Sequence, residues 1–251
     1  GGDGPWYISV GFLNRDLKLD LAVANVLGDT VSIFLGNGAG GFAAAAPIPV
    51  GHVPYGIAIA DLNRDGKADL SVANQFAHSL SILFGDGTGS FSPAPGSPVP
   101  VATAPSWVKA ADLNRDGKLD LAATSQGTDA VTILLGDGVG GFAPAPGSPV
   151  PVASDCVRPG HACGPTPLAV VDMNRDGRLD LVTGNIFTDN ASVLLGDGSG
   201  GFSPAPGSPF AVGDGPFALA AADLNWDFRP DLAVTGYNSS DVTVLLNRPS
   251  T

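Results

Sequence analysis

Nine residues, Asp61-Leu62-Asn63-Arg64-Asp65-Gly66-Lys67-Ala68-Asp69, constrain this chain more than any other stretch. The pattern returns at Asp112–Asp120, Asp172–Asp180 and Asp223–Asp231, with a worn copy at Phe12–Asp20. The first positions, 12, 61, 112, 172 and 223, lie 49, 51, 60 and 51 residues apart, and the longest spacing contains an insert at Ser154–Gly164. A period near 50 with frequent turn signals points to a propeller or a solenoid. The repeats run approximately 1–51, 52–102, 103–163, 164–213 and 214–251, and 251 residues suit a single domain built from them.

One repeat decides between the two architectures. Tyr55–Ala60 is a short apolar run that leads into the nine-residue loop. Leu70–Asn74 and Ser79–Phe84 alternate as strands, and Gly85-Asp86-Gly87-Thr88-Gly89 is a hairpin-type turn. Phe91 then opens a stretch to Val101 in which Pro93, Pro95, Pro98 and Pro100 rule out a central strand, so it forms the outer edge. Four short strands repeated radially make a propeller blade. The sequence therefore predicts an all-β, five-bladed β-propeller of four-stranded antiparallel blades. Its last blade is incomplete, because only Arg248–Thr251 follow Leu246-Asn247. The outer edge of Asp241–Leu246 is then bare, and bare edges recruit strands from other molecules. Self-assembly through that edge is expected.

The loop carries the chemistry. Oxygen-bearing side chains stand at alternate positions, followed by Gly66 and a final Asp. Calcium takes six to eight oxygens, and such a loop wraps them around one point. Asp61, Asn63, Asp65 and Asp69 are the side-chain candidates, with Lys67 giving its backbone carbonyl and its ammonium pointing away. Asx turns without a metal are the alternative, since Asn, Asp and Gly form turns readily. Repetition favours calcium, at three to four structural ions.

Composition narrows the function. All 24 acidic residues are Asp, and 14 of them lie in the five loops, so the net charge of −12 reads as metal-site charge. That charge disfavours nucleic acid as a partner. No apolar run is long enough for a membrane span. Without Glu there is no EF-hand loop. His52, His78 and His161 fall at unrelated repeat positions with no nucleophile beside them, so no enzyme is expected. Cys156 and Cys163 sit close together in the insert and read as a disulfide, which implies an oxidising, extracellular compartment. Asn190 and Asn238 open N-glycosylation patterns. Of the tryptophans, Trp107 reads as axial packing and Trp226 as exposed.

Asp-Leu-Asn-Arg-Asp-Gly-Lys-x-Asp, then Leu-x-Val-x-Asn, then Leu-Leu-Gly-Asp-Gly-x-Gly-Gly-Phe resembles the FG-GAP/VCBS repeats, which include the integrin-α propeller and a fungal lectin propeller. The resemblance implies calcium between the first and second strands of a blade. It extends the ligand set to Asp112, Asn114, Asp116, Lys118 and Asp120, and to Asp172, Asn174, Asp176, Arg178 and Asp180. The fifth copy keeps Asp223, Asn225, Asp227, Arg229 and Asp231 but has Phe228 for Gly, which implies a weaker site. The first has Phe12 for the leading Asp and Leu17 for Gly, and no tight calcium is expected there. The function implied is a secreted, calcium-binding, non-catalytic adhesion or assembly module with a protein or glycan partner. The alternative is a carbohydrate-binding lectin with sites between blades.

Overall fold

The computed structural model describes residues 2–152 and 164–248. Blade one comprises β1 (Pro5–Gly11), β2 (Asp20–Asn25), β3 (Thr30–Gly36), β4 (Phe42–Ala44) and β5 (Ile48–Pro49). Blade two comprises β6 (Pro54–Ala60), β7 (Asp69–Asn74), β8 (Ser79–Gly85), β9 (Phe91–Pro93) and β10 (Val99–Pro100). Blade three comprises β11 (Pro105–Ala111), β12 (Asp120–Ser125), β13 (Ala130–Gly136), β14 (Phe142–Pro144) and β15 (Val150–Pro151). Blade four comprises β16 (Pro165–Val171), β17 (Asp180–Asn185), β18 (Asn190–Gly196), β19 (Phe202–Pro204) and β20 (Phe210–Ala211). Blade five has β21 (Pro216–Ala222), β22 (Asp231–Gly236) and β23 (Asp241–Leu245). The protein is a five-bladed propeller whose fifth blade has three strands.

The outer stretch of each complete blade is two short strands, not the single one the sequence suggests. Both pair with the third strand, as β14 and β15 do with β13. Prolines cannot donate to a ladder, so continuous pairing is broken between them. In blades two to four a serine hydroxyl fills the break: Ser97, Ser148 and Ser208 accept the amides of Ile82, Ile133 and Val193 at 2.9, 2.9 and 3.0 Å.

The apolar core is divided among the blade interfaces. Four clusters of buried residues each join two consecutive blades. Val31 and Ile33 of blade one meet Ile57, Leu70 and Leu83 of blade two. Leu80 and Ile82 meet Leu121 and Leu134. Val131 and Ile133 meet Leu168, Leu181 and Leu194. Val182 and Val193 meet Leu232 and Val234. Each blade thus has one face toward its predecessor and another toward its successor. Consecutive inner strands pack side by side from β1 to β21, and no comparable packing joins β21 back to β1 among the described residues. At the bare edge of β23 a cavity of about 730 Å³ opens, lined by residues including Met173, Phe210 and Leu232.

Candidate metal centres in the blade loops

Every nine-residue loop joins the first and second strands of its blade, so all five lie at one end of the propeller. The final Asp anchors each loop. Asp69 is fully buried; its two carboxylate oxygens accept the amides of Leu62 at 2.9 Å and Gly85 at 2.9 Å. Asp120 accepts Leu113, Asn114 and Gly136, and Asp180 accepts Met173, Asn174 and Gly196. Asp20 and Asp231 make the equivalent bonds in the outer blades. This residue therefore ties loop, second strand and third strand together, a role that spacing alone did not reveal. Gly85 must be glycine for this, because a Cβ there would overlap the Ala68 carbonyl.

The remaining oxygens converge on one short piece of backbone. Asp61 Oδ1 and Asn63 Oδ1 both accept the Asp65 amide, at 3.1 and 2.9 Å, while Asp61 Oδ2 accepts the Gly66 amide at 2.8 Å. Loops three and four repeat these bonds through Asp112 and Asn114, and through Asp172 and Asn174. Loop five does so through Asp223 and Asn225 despite Phe228, which takes φ 65° where Gly66 takes 78°. Loop one lacks the leading carboxylate and keeps only the bonds of Asn14 and Asp16.

The charges show how these loops are balanced. Burial pushes the Asp69 carboxyl up, and the negative charges of Asp65 and Asp61 add to that; Asp120 and Asp180 are likewise raised by burial. Asp65 is held low, first by the hydrogen bond from the Lys67 side chain. Here the structure corrects the sequence reading: the Lys67 ammonium does not point away but reaches Asp65 Oδ2 at 3.0 Å. Lys118 does the same to Asp116 at 3.0 Å, and Lys18 to Asp16 at 3.2 Å. Among the described residues no three His, Cys, Asp or Glu side chains close into a group by themselves. A cation would need the Asn oxygen and the carbonyl of residue 67, 118, 178 or 229 as well. With those included, the donor set is all oxygen and fits a hard divalent cation.

Other candidates resolve into structure. In blades one to four, nine residues after the final Asp, a turn residue of positive φ reaches the next blade. Asp29 accepts the Val53 amide at 2.8 Å, His78 the Ala104 amide at 3.1 Å, Asp129 the Gly164 amide at 2.8 Å and Asp189 the Gly215 amide at 3.0 Å. Sequence reading missed these clamps, although their constant offset from the loop was visible. His52 pairs with Asp29 at 3.0 Å. At the end of the axis opposite the loops, Trp6, Tyr55, Trp107 and Phe217 form a chain of ring contacts at 5.4 to 6.5 Å. Trp107 is thus axial packing, and Trp226 is 87 % exposed. Cys156, Cys163 and His161 lie outside the described residues.

No curated protein matches the chain. Among solved structures, BBS1N in complex with ARL6DN aligns with a TM-score of 0.60 at 14 % identity, over 99 % of this chain and 70 % of that one. An Agrocybe aegerita lectin that recognises non-reducing terminal N-acetylglucosamine aligns with a TM-score of 0.61 at 21 % identity, over 98 % of this chain and 64 % of the lectin. Virginiamycin B lyase from Staphylococcus aureus aligns with a TM-score of 0.53 at 15 % identity, over 97 % of this chain and 70 % of the lyase. At these identities the likeness is one of fold. The FG-GAP-like repeat matches at residues 13–72, 61–123, 112–183 and 172–234, each match running from one loop through the next. The chain belongs to the FG-GAP repeat family.

Proposed function

We propose that this protein is a secreted, non-catalytic binding module whose blades are held by three to four structural calcium ions. The observation that carries the reading is the convergence of Asp61 and Asn63 oxygens on the amides of Asp65 and Gly66, repeated in loops three to five. A bound calcium would neutralise carboxylates that otherwise repel one another. Lys67 and Lys118 serve as internal counter-ions until a cation displaces them. Titrating calcium into chelator-treated protein in a calorimeter should give three to four ions per chain. Each site at a hundredfold excess over its dissociation constant adds about 2.7 kcal/mol of stability, so EDTA should lower the melting temperature markedly. No binding heat and an unchanged melt would overturn the proposal.

The module's partner is a protein or a glycan. Adhesion or assembly is the leading reading, and a lectin the second. The half-exposed Trp6 in the axial aromatic chain favours the second, since an aromatic face stacks on a sugar ring. The fold likeness to the Agrocybe aegerita lectin points the same way. A glycan array run with and without chelator separates the two. Calcium-dependent hits support the lectin, and silence supports adhesion.

A further inference from the structure

The five inner strands around the axis carry a single charged residue. β1, β6, β16 and β21 contain only uncharged residues, whereas β11 holds Lys109. None of the chain's 24 aspartates lies on these strands, although the net charge is −12. The chain has four lysines, and the other three, Lys18, Lys67 and Lys118, each reach a loop aspartate at 3.0 to 3.2 Å. Lys109 enters no ion pair among the described residues. At its place in the repeat the other blades have Ser9, Ala58, Ala169 and Ala220. The ladders fix that equivalence, since Lys109 lies opposite Ala122 as Ala58 lies opposite Ser71 and Ala169 opposite Val182.

The lysine opens onto a cavity. A space of about 470 Å³ lies between the inner strands of blades three, four and five, lined by Lys109 and by apolar residues that include Leu168, Val170, Leu179, Leu219 and Ala221. Small-molecule sites fall in this size range and combine an apolar wall with a few convergent polar groups. Blade four, packed against a neighbour on either side, supplies the middle of that wall. The strands add donors of their own. Each inner strand is the edge of its sheet, and alternate amides of an edge strand turn away from its one partner, here toward the axis. The lining therefore offers positive charge and N–H groups, and no carboxylate. A half-buried ammonium without a counter-ion costs free energy that a bound anion would recover.

We propose that this cavity is a binding site for a small aliphatic monocarboxylate. The carboxylate pairs with the Lys109 ammonium and accepts edge amides of the inner strands, and the alkyl chain lies against Leu168, Val170, Leu179 and Leu219. One ammonium neutralises one carboxylate, whereas a phosphate or sulfate dianion would be left with unpaired charge. A bare inorganic anion would also leave the apolar wall against water, with no gain from covering it. The site uses none of the oxygens of the nine-residue loops and does not rest on the calcium reading.

Calorimetric titration with hexanoate at low ionic strength tests this, with hexanol and inorganic phosphate as controls. Hexanoate should bind once per chain, and the two controls about tenfold more weakly or less, since each lacks one half of the match. Lys109→Met keeps the apolar stem and removes the charge. It should weaken hexanoate about tenfold or more while leaving hexanol unchanged. If Lys109→Met fails to melt cooperatively, the comparison of hexanoate with hexanol on the wild type carries the test alone. Absence of hexanoate binding would overturn the proposal. So would hexanol or phosphate binding as tightly as hexanoate, or a folded Lys109→Met protein that binds hexanoate as the wild type does.

Discussion

Asp120 illustrates how one residue type carries two jobs in these loops. Its carboxylate accepts amides from Leu113, Asn114 and Gly136, all in a buried setting. Replacing it with Ala strands those donors, and each buried unsatisfied group costs about 1–3 kcal/mol. Asp120→Ala should therefore destabilise the protein by about 3 kcal/mol or more in denaturant unfolding, with or without calcium. Asp116→Ala should behave differently. Its oxygens meet only Lys118, in a half-exposed pair, so the unfolding midpoint of the chelated protein should barely move while calcium affinity at that loop falls sharply. Lys67→Met should tighten calcium at the second loop by a few-fold, since the ammonium that contacts Asp65 competes with the incoming cation. A calorimetric titration of each variant checks both.

Among elements, the interrupted outer strand is the least expected. Prolines deny it a continuous ladder, and Ser148 supplies the acceptor that the Ile133 amide would otherwise lack. Ser148→Ala should cost about 1 kcal/mol or somewhat more, by leaving a partly buried amide unpaired. The clamp residue Asp129 should be more sensitive than its position in a turn suggests. It holds the Gly164 amide of the next blade, and its own φ of 50° already carries strain. Asp129→Gly relieves the φ strain but loses the clamp; Asp129→Asn keeps both. Unfolding midpoints should therefore rank wild type and Asp129→Asn above Asp129→Gly.

At the scale of the molecule, apolar clusters that join only neighbours make the propeller a short one-dimensional array. Stability should then vary along it. β7, β12 and β17 are buried along their whole length, whereas β23 is exposed or half-exposed throughout. Hydrogen exchange should protect β7 and β12 longest and β23 least. Uniform protection across all five blades would contradict the array picture.

Much of this was legible in the chain because it is repeated. The five loops, their spacing and the alternating strands on either side of Asp61–Asp69 specify a blade, since local pattern sets strand period and turn placement. The departures of loops one and five from the repeat were likewise visible, at Phe12, Leu17, Trp226 and Phe228. What the sequence could not show was which partner each side chain meets. The carboxylate of Asp69 and the ammonium of Lys67 take roles set by atoms brought close only in the folded chain, at Gly85 and Asp65. The clamps at Asp29, Asp129 and Asp189 join residues 24 to 35 apart across a blade boundary. The burial of equivalent residues is the clearest case. Ile57 and Ile33 have the same residue character as Ile8 and Val244, so only the packing of blades, which covers Ile57 and Ile33 with a neighbour, decides their difference in exposure.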